Sequence, residues 1–215
     1  MSLSNESRSR IKAIFEPIAL GMGRLGLTPD GLTLIGFGIT VAGAILVGAQ
    51  LWLIGGIVVF IGGAFDMFDG TLARATGQVS PLGAFMDSVF DRWGVVFVYI
   101  GIIVGGARAA SSGSDAVVIL AAAAMGMAFM VSYTRAKSEG LGFTPGTGMA
   151  AVGVMPREIR LVILSLGLIV AGIVGDLFIL EIALAIIVIG ATITVIQRIL
   201  HVRSQAKSAA NPTIK

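Results

Sequence analysis

The chain has no cysteine, a single histidine and few charges for its length. Of its 215 residues, none is Cys, one is His, and Asp, Glu, Lys and Arg together make up 13%. The missing cysteine excludes a disulfide framework, a thiolate nucleophile and a thiolate-held metal. The one histidine, His201, lies near the C-terminus and reads as interfacial rather than catalytic. A soluble domain carries roughly 25% charged residues, and half that share excludes an ordinary water-facing surface. Apolar sequence fills the place of charge, with 56% hydrophobic residues and a mean hydropathy of +0.96. The chain reads as an all-α integral membrane protein of one domain. The start of the chain, with Ser2, Asn5, Glu6 and Ser7, has no long apolar core before Ile11, so no cleavable signal peptide is expected. The net charge is only +3, and no nucleic-acid partner is expected.

A bilayer core about 30 Å thick needs about 20 helical residues per crossing. Six segments qualify: 31–49, 51–74, 82–106, 115–137, 157–175 and 178–202. They divide the chain into an interfacial or juxtamembrane segment 1–30, a six-helix transmembrane domain 31–202 and a polar, loosely ordered cytoplasmic tail 203–215. Within the first segment Ile11, Ile14, Phe15 and Ile18 recur at i, i+3, i+4, i+7 beside Arg8, Arg10 and Lys12. That pattern suits an amphipathic helix lying in the interface; the plainer alternative is an extension of the first span. With six spans, all cations except Arg108 fall on or toward one side, from Arg24 and Arg74 through Arg135, Lys137, Arg157 and Arg160 to Arg198, Arg203 and Lys207. The connections near 49–51 and 175–177 carry none. The positive-inside rule then puts both termini in the cytoplasm of a cell that holds the protein in its plasma membrane. The 30 glycines, among them Gly55, Gly56, Gly62, Gly63, Gly101, Gly105 and Gly106, read as close-packing positions between helices.

Four acids interrupt this apolar background. Asp66 and Asp69 are i,i+3 neighbours, and Asp87 and Asp91 are i,i+4 neighbours, so each pair shares one face of its helix. Between them Gly77, Ser80 and Pro81 turn the chain back. Two antiparallel helices would then aim four carboxylates at one spot. Such a cluster repels itself unless a cation sits in it, and carboxylate oxygens select Mg²⁺, Mn²⁺ or Ca²⁺. Ionisable groups in a membrane segment mark function. From the acids alone, a structural ion-pair network and a cation-transport site are the competing readings; transport would favour acids spread over several spans near the midplane.

The full spacing is D-x2-D-G-x2-A-R-x8-G-x3-D-x3-D, carried by Asp66, Asp69, Gly70, Ala73, Arg74, Gly83, Asp87 and Asp91. It resembles the signature of the CDP-alcohol phosphotransferases at all eight positions. The resemblance implies an enzyme that binds a CDP-linked lipid, lets an alcohol attack the lipid-side phosphorus and releases CMP. It implies Asp66, Asp69 and Asp87 as ligands of Mg²⁺ or Mn²⁺, two ions in all, with Asp91 as general base, ligand or both. Gly70, Ala73 and Arg74 match positions lining the nucleotide and phosphate pocket. Asp30 and Thr33, after Gly26-Leu27-Thr28-Pro29, resemble a segment near the nucleotide, and would equally serve as an N-cap and first turn.

The cytoplasmic ends of the last three spans are basic. Ser132, Arg135 and Lys137 close the fourth, Arg157 and Arg160 open the fifth, and Gln197-Arg198 lies near the end of the sixth. Cations around one mouth suit an acceptor that is itself a phosphate ester, although interfacial anchoring explains any one of them. Arg135 and Lys137, two apart, straddle a helical face rather than share it. These stretches resemble one branch of the family, the actinobacterial phosphatidylinositol phosphate synthases. That branch implies CDP-diacylglycerol as donor, inositol 1-phosphate as acceptor bound by Ser132, Arg135, Lys137, Arg157 and Arg198, and a homodimer in membrane lipid. Glycerol 3-phosphate is the competing acceptor, since it needs the same kind of basic patch.

Overall fold

The computed structural model describes residues 16–109, 115–143 and 148–210, and nearly all of them are helical. A short helix, α1, covers 16–24. Six longer ones follow: α2 Pro29–Gly48, α3 Trp52–Thr76, α4 Pro81–Ala109, α5 Ala116–Gly140, α6 Arg157–Val174 and α7 Phe178–Ala210. A 3₁₀ turn at Met149–Ala151 precedes α6. The helix ends follow local chemistry. Thr28 caps α2 by accepting from the Gly31 N–H at 3.1 Å, with Pro29 at the first position. Ser80 accepts from Gly83 N–H at 2.9 Å at the start of α4. Gly77 and Gly175 close α3 and α6 in the left-handed conformation.

Five helices, α2, α3, α4, α5 and α7, are long and apolar enough to cross a membrane. Expected as a sixth crossing, α6 has 18 residues, and Arg157, Glu158 and Arg160 crowd its first turn. Large apolar side chains such as Ile45, Ile119, Ile173 and Ile189 point outward, as a lipid-facing surface requires. This is a membrane protein. The helices alternate in direction, so one end of the bundle gathers the starts of α2, α4 and α6 and the ends of α3, α5 and α7. This is the site end of the bundle.

The chain breaks between α1 and α2 at residues 25–28, with Gly26 at φ 87°, so α1 is not a continuation of the first span. Ala19 of α1 is buried with Leu32 of α2 and Leu72 of α3, whereas Ile18 is exposed. The expected apolar stripe otherwise rests on Ile11, Ile14 and Phe15, which lie outside the described residues. At the other terminus the helix does not stop near 202. It runs to Ala210, through residues expected to form a loose tail. Gln205, Ala206, Lys207 and Ala209 are good helix formers, and a helix that has left the lipid needs no apolar face to continue.

α2 packs against both α3 and α4, α3 also against α6, and α5 against α4 and α7. The two aspartate-bearing helices touch each other little. They are antiparallel, as the turn at Gly77–Pro81 predicts, but a gap separates them and α2 bridges one side of it. Glycines set the close crossings. A Cβ on Gly101 would fall against the Ala44 carbonyl oxygen of α2, and one on Gly172 against the Leu53 backbone nitrogen of α3. Backbone atoms cannot step aside as a side-chain tip can. Gly101→Ala is therefore expected to destabilise the detergent-solubilised protein by about 1–3 kcal/mol, read as earlier thermal unfolding. Unchanged unfolding would mean that α2 and α4 part freely.

Candidate active site

Asp69 sits in the penultimate turn-pair of α3 and is 4% exposed. Thr33 of α2 donates to its Oδ2 at 2.6 Å, and the Gly70 N–H donates to its Oδ1. The Thr33 hydroxyl also lies 3.2 Å from the Pro29 carbonyl; with one proton to give, the shorter bond to a charged acceptor wins. Thr33 thus ties α2 to α3 at the site end. Asp30, one turn earlier, reaches α4: a Cβ on Gly83 would lie 3.2 Å from its Oδ1. Gly83 leaves the room that this approach uses. Gly70 does the same on α3, where a Cβ would lie 3.3 Å from Nη1 of Arg74. Arg74 is exposed, with Nη2 3.5 Å from the Thr71 hydroxyl, and Ala73 is half-buried beside it. The side chain of Asp66 lies outside the described residues, although its backbone belongs to α3.

Asp87 and Asp91 line one polar cavity of about 430 Å³ enclosed by α4, α5, α6 and α7. The i,i+4 spacing accounts for their shared face. Ser132, Arg135, Arg157 and Arg198 line the same cavity. Lys137 does not; it is exposed on the outer side of α5, as its two-residue offset from Arg135 dictates. Arg135 Nε donates to Glu139 Oε1 at 3.0 Å, and Arg157 Nη2 forms an ion pair with Asp91 Oδ1. Among the described side chains no group of three acids closes on one point. Asp69 faces the α2 side of the gap while Asp87 and Asp91 face the cavity. The donor set is nonetheless carboxylate oxygen, with no thiolate in the chain, which suits a hard divalent cation.

Two arginines are more deeply built in than their sequence context suggests. Arg198 is 4% exposed; its Nε donates to the Val152 carbonyl at 3.0 Å and its Nη1 to the Val131 carbonyl. Arg160 is 8% exposed and donates to the Met155 carbonyl at 2.8 Å. Both hold the segment 151–156 that leads into Arg157. α7 adds two bonds, Met155 N–H to Thr194 Oγ1 at 2.9 Å and Val154 N–H to Gln197 Oε1 at 3.1 Å. Glu139, Thr194 and the carbonyls of this strap carry no sequence signal of their own. Gly153 lies in the strap at φ 126°, pressed against Thr194. Gly153→Ala is expected to cost about 1–3 kcal/mol through strain and contact together, and to shift the melting of solubilised protein downward. Wild-type melting would show the strap to be slack.

Comparison with known proteins supplies the context for this geometry. The chain is 31% identical over 199 residues to the archaetidylinositol phosphate synthase of Pyrococcus horikoshii, covering 92% of this chain and 95% of that one. It is 34% identical over 216 residues to the phosphatidylinositol phosphate synthase of Streptomyces avermitilis, covering 96% and 85%. The crystal structure of the Mycobacterium tuberculosis phosphatidylinositol phosphate synthase with CDP-DAG bound superposes with a TM-score of 0.76 at 30% identity, over 88% of this chain and 94% of that one. The same mycobacterial protein has also been solved in complex with manganese and citrate. Residues 26–196, from the turn before α2 to the middle of α7, match the model of one enzyme family. That stretch contains every aspartate of the signature and the helices that carry them, and by it the chain belongs to the CDP-alcohol phosphatidyltransferases.

Proposed function

We propose that the chain transfers the phosphatidyl group of CDP-diacylglycerol to inositol 1-phosphate, giving phosphatidylinositol phosphate and CMP. The observation that carries this reading is the basic lining of the cavity that also contains Asp87 and Asp91. An anionic acceptor seated there would bring its hydroxyl beside the proposed base. Asp91 takes the hydroxyl proton, the alcohol oxygen bonds to the lipid-side phosphorus, and the bond from that phosphorus to the CMP oxygen breaks. Asp66, Asp69 and Asp87, with Asp91 as a further donor, would hold Mg²⁺ or Mn²⁺, two ions in this reading. When bound, such cations neutralise the diphosphate and stabilise the leaving oxygen. Asp30, Thr33, Gly70, Ala73 and Arg74 serve the nucleotide end. Ser132, Arg135, Arg157 and Arg198 serve the acceptor's phosphate; Lys137 adds charge at the rim. The relatives named for inositol phosphate products support this acceptor over glycerol 3-phosphate. An enzyme of this family is not the cation transporter that the acids alone would allow.

The reading includes six crossings. α6, about 27 Å long at 1.5 Å per residue, spans with its charged first turn in the headgroups. α1 lies in the interface ahead of domain 31–202. Both termini and the site end face the cytoplasm, in the plasma membrane, as the lone far-end cation Arg108 supports. A homodimer is part of this reading, to be checked by light scattering in detergent. The deciding assay is CMP release from CDP-diacylglycerol in membranes with inositol 1-phosphate, free inositol, glycerol 3-phosphate or serine. Release with inositol 1-phosphate alone is expected. Release with glycerol 3-phosphate alone would overturn the acceptor and leave the family untouched.

A further inference from the structure

Both carboxylate oxygens of Asp91 face guanidinium groups. Oδ1 is paired with Arg157 Nη2, and Oδ2 lies 3.4 Å from Arg92 Nη1. The Asp91–Arg157 pair also stands at a boundary. Both residues line the polar cavity on the α5–α7 side. Both also line a narrow apolar slot of about 60 Å³ in the gap between α3 and α4, whose wall includes Thr33, the partner of Asp69. The pair therefore stands between the basic cavity and the side of the site that carries Asp69.

Arg157 has two uses that exclude each other. A guanidinium fork on a carboxylate neutralises it and occupies the lone pair a base needs. The same fork binds a phosphate better, because a phosphate offers more charge and more acceptor oxygens. The other cavity arginines are held by their own partners: Arg92 by the Ser88 carbonyl at 2.7 Å, Arg135 by Glu139, Arg198 by the Val131 and Val152 carbonyls, Arg160 by the Met155 carbonyl. Of these five, Arg92 and Arg157 reach the carboxylate proposed as the base, and Arg157 makes the closer contact.

We infer that Arg157 sets the enzyme's selectivity for a phosphorylated acceptor over water. Arg157 holds Asp91 until the acceptor's phosphate draws the guanidinium into the cavity, which frees the base and opens the boundary in one movement. Water has no phosphate and leaves the pair closed. Without this control Asp91 would take a proton from water, the water oxygen would bond to the lipid-side phosphorus, and CMP would leave with the donor lipid wasted as phosphatidic acid. This inference rests on the proposed function, specifically on Asp91 as base.

The test compares full-length wild type with Arg157→Gln in lipid nanodiscs. CMP release from CDP-diacylglycerol without any acceptor is expected to rise by about threefold or more in Arg157→Gln, as coupling between neighbouring charges allows, while synthesis with inositol 1-phosphate falls. Binding gives a readout without turnover. Inorganic phosphate is expected to tighten Mn²⁺ binding to wild type, because it takes Arg157 off Asp91. Arg157→Gln should bind Mn²⁺ more tightly than wild type without phosphate and show no phosphate effect. If Arg157→Gln does not fold, Asp91→Asn supplies the other half: it should bind inorganic phosphate more tightly than wild type. Acceptor-free release that stays flat or falls, a phosphate effect that persists in Arg157→Gln, or unchanged phosphate affinity in Asp91→Asn overturns the inference. Wild type that neither binds Mn²⁺ nor releases CMP with any acceptor would instead sink the functional reading, and the inference with it.

Discussion

Asp69→Asn and Asp87→Asn are expected to lose activity by at least about 100- to 1,000-fold while the solubilised protein stays folded and monodisperse. A divalent cation on a transferring phosphoryl group contributes several kcal/mol of transition-state charge stabilisation, and each 1.36 kcal/mol is tenfold in rate. An amide binds such a cation far less well than a carboxylate. The fold should survive because Asn is nearly isosteric and its amide oxygen still accepts from Thr33, which now bonds Asp69 at 2.6 Å. The Gly70 N–H contact is the one that suffers, at a cost of roughly 1 kcal/mol. In a membrane bundle a neutral amide is also no harder to bury than a carboxylate. EDTA should inhibit the wild type, with Mg²⁺ or Mn²⁺ restoring it. Full turnover after exhaustive chelation would remove the metals from the mechanism. Aggregation of both variants would instead make the acids structural.

Arg198→Ala is expected to raise KM for inositol 1-phosphate by about tenfold or more, with KM for CDP-diacylglycerol barely moved. A charge-assisted contact to phosphate is worth roughly 1.5–3 kcal/mol, or about 10- to 150-fold. The structure adds a second expected loss. Arg198 is buried and bonds the Val131 and Val152 carbonyls, so truncation also unties α5 and the strap from α7 and lowers thermal stability. The two losses separate in the kinetics. Loosening of the bundle alone would move both KM values together, whereas loss of a phosphate contact moves the acceptor's alone. Parallel changes in both would take Arg198 out of the acceptor site and leave it as a strut.

The class of the protein and the place of its acids were legible in the sequence because both depend on short-range facts. Low charge and long apolar runs decide between water and lipid. The i,i+4 period alone puts Asp87 and Asp91 on one face, and Thr28-Pro29, Gly77 and Gly175 mark helix ends through local backbone preferences. The eight-position signature led to the same family that the match over residues 26–196 shows. Apolar sequence ends near 202 and marks only the end of a span; the helix itself continues to Ala210, because helix propensity does not depend on lipid contact. Only the tertiary structure decided that α2, rather than α3 against α4, closes one side of the site. It also decided which cations enter the cavity, that Arg198 spends its donors on carbonyls, and that Arg157 meets Asp91. Those partners lie 46 to 67 residues apart in the chain or, for Asp91 and Arg157, on α4 and α6 with the whole of α5 between them in sequence. Their meeting is set by how closely glycine-lined helices approach, and periodicity along one helix carries no record of which other helix will face it.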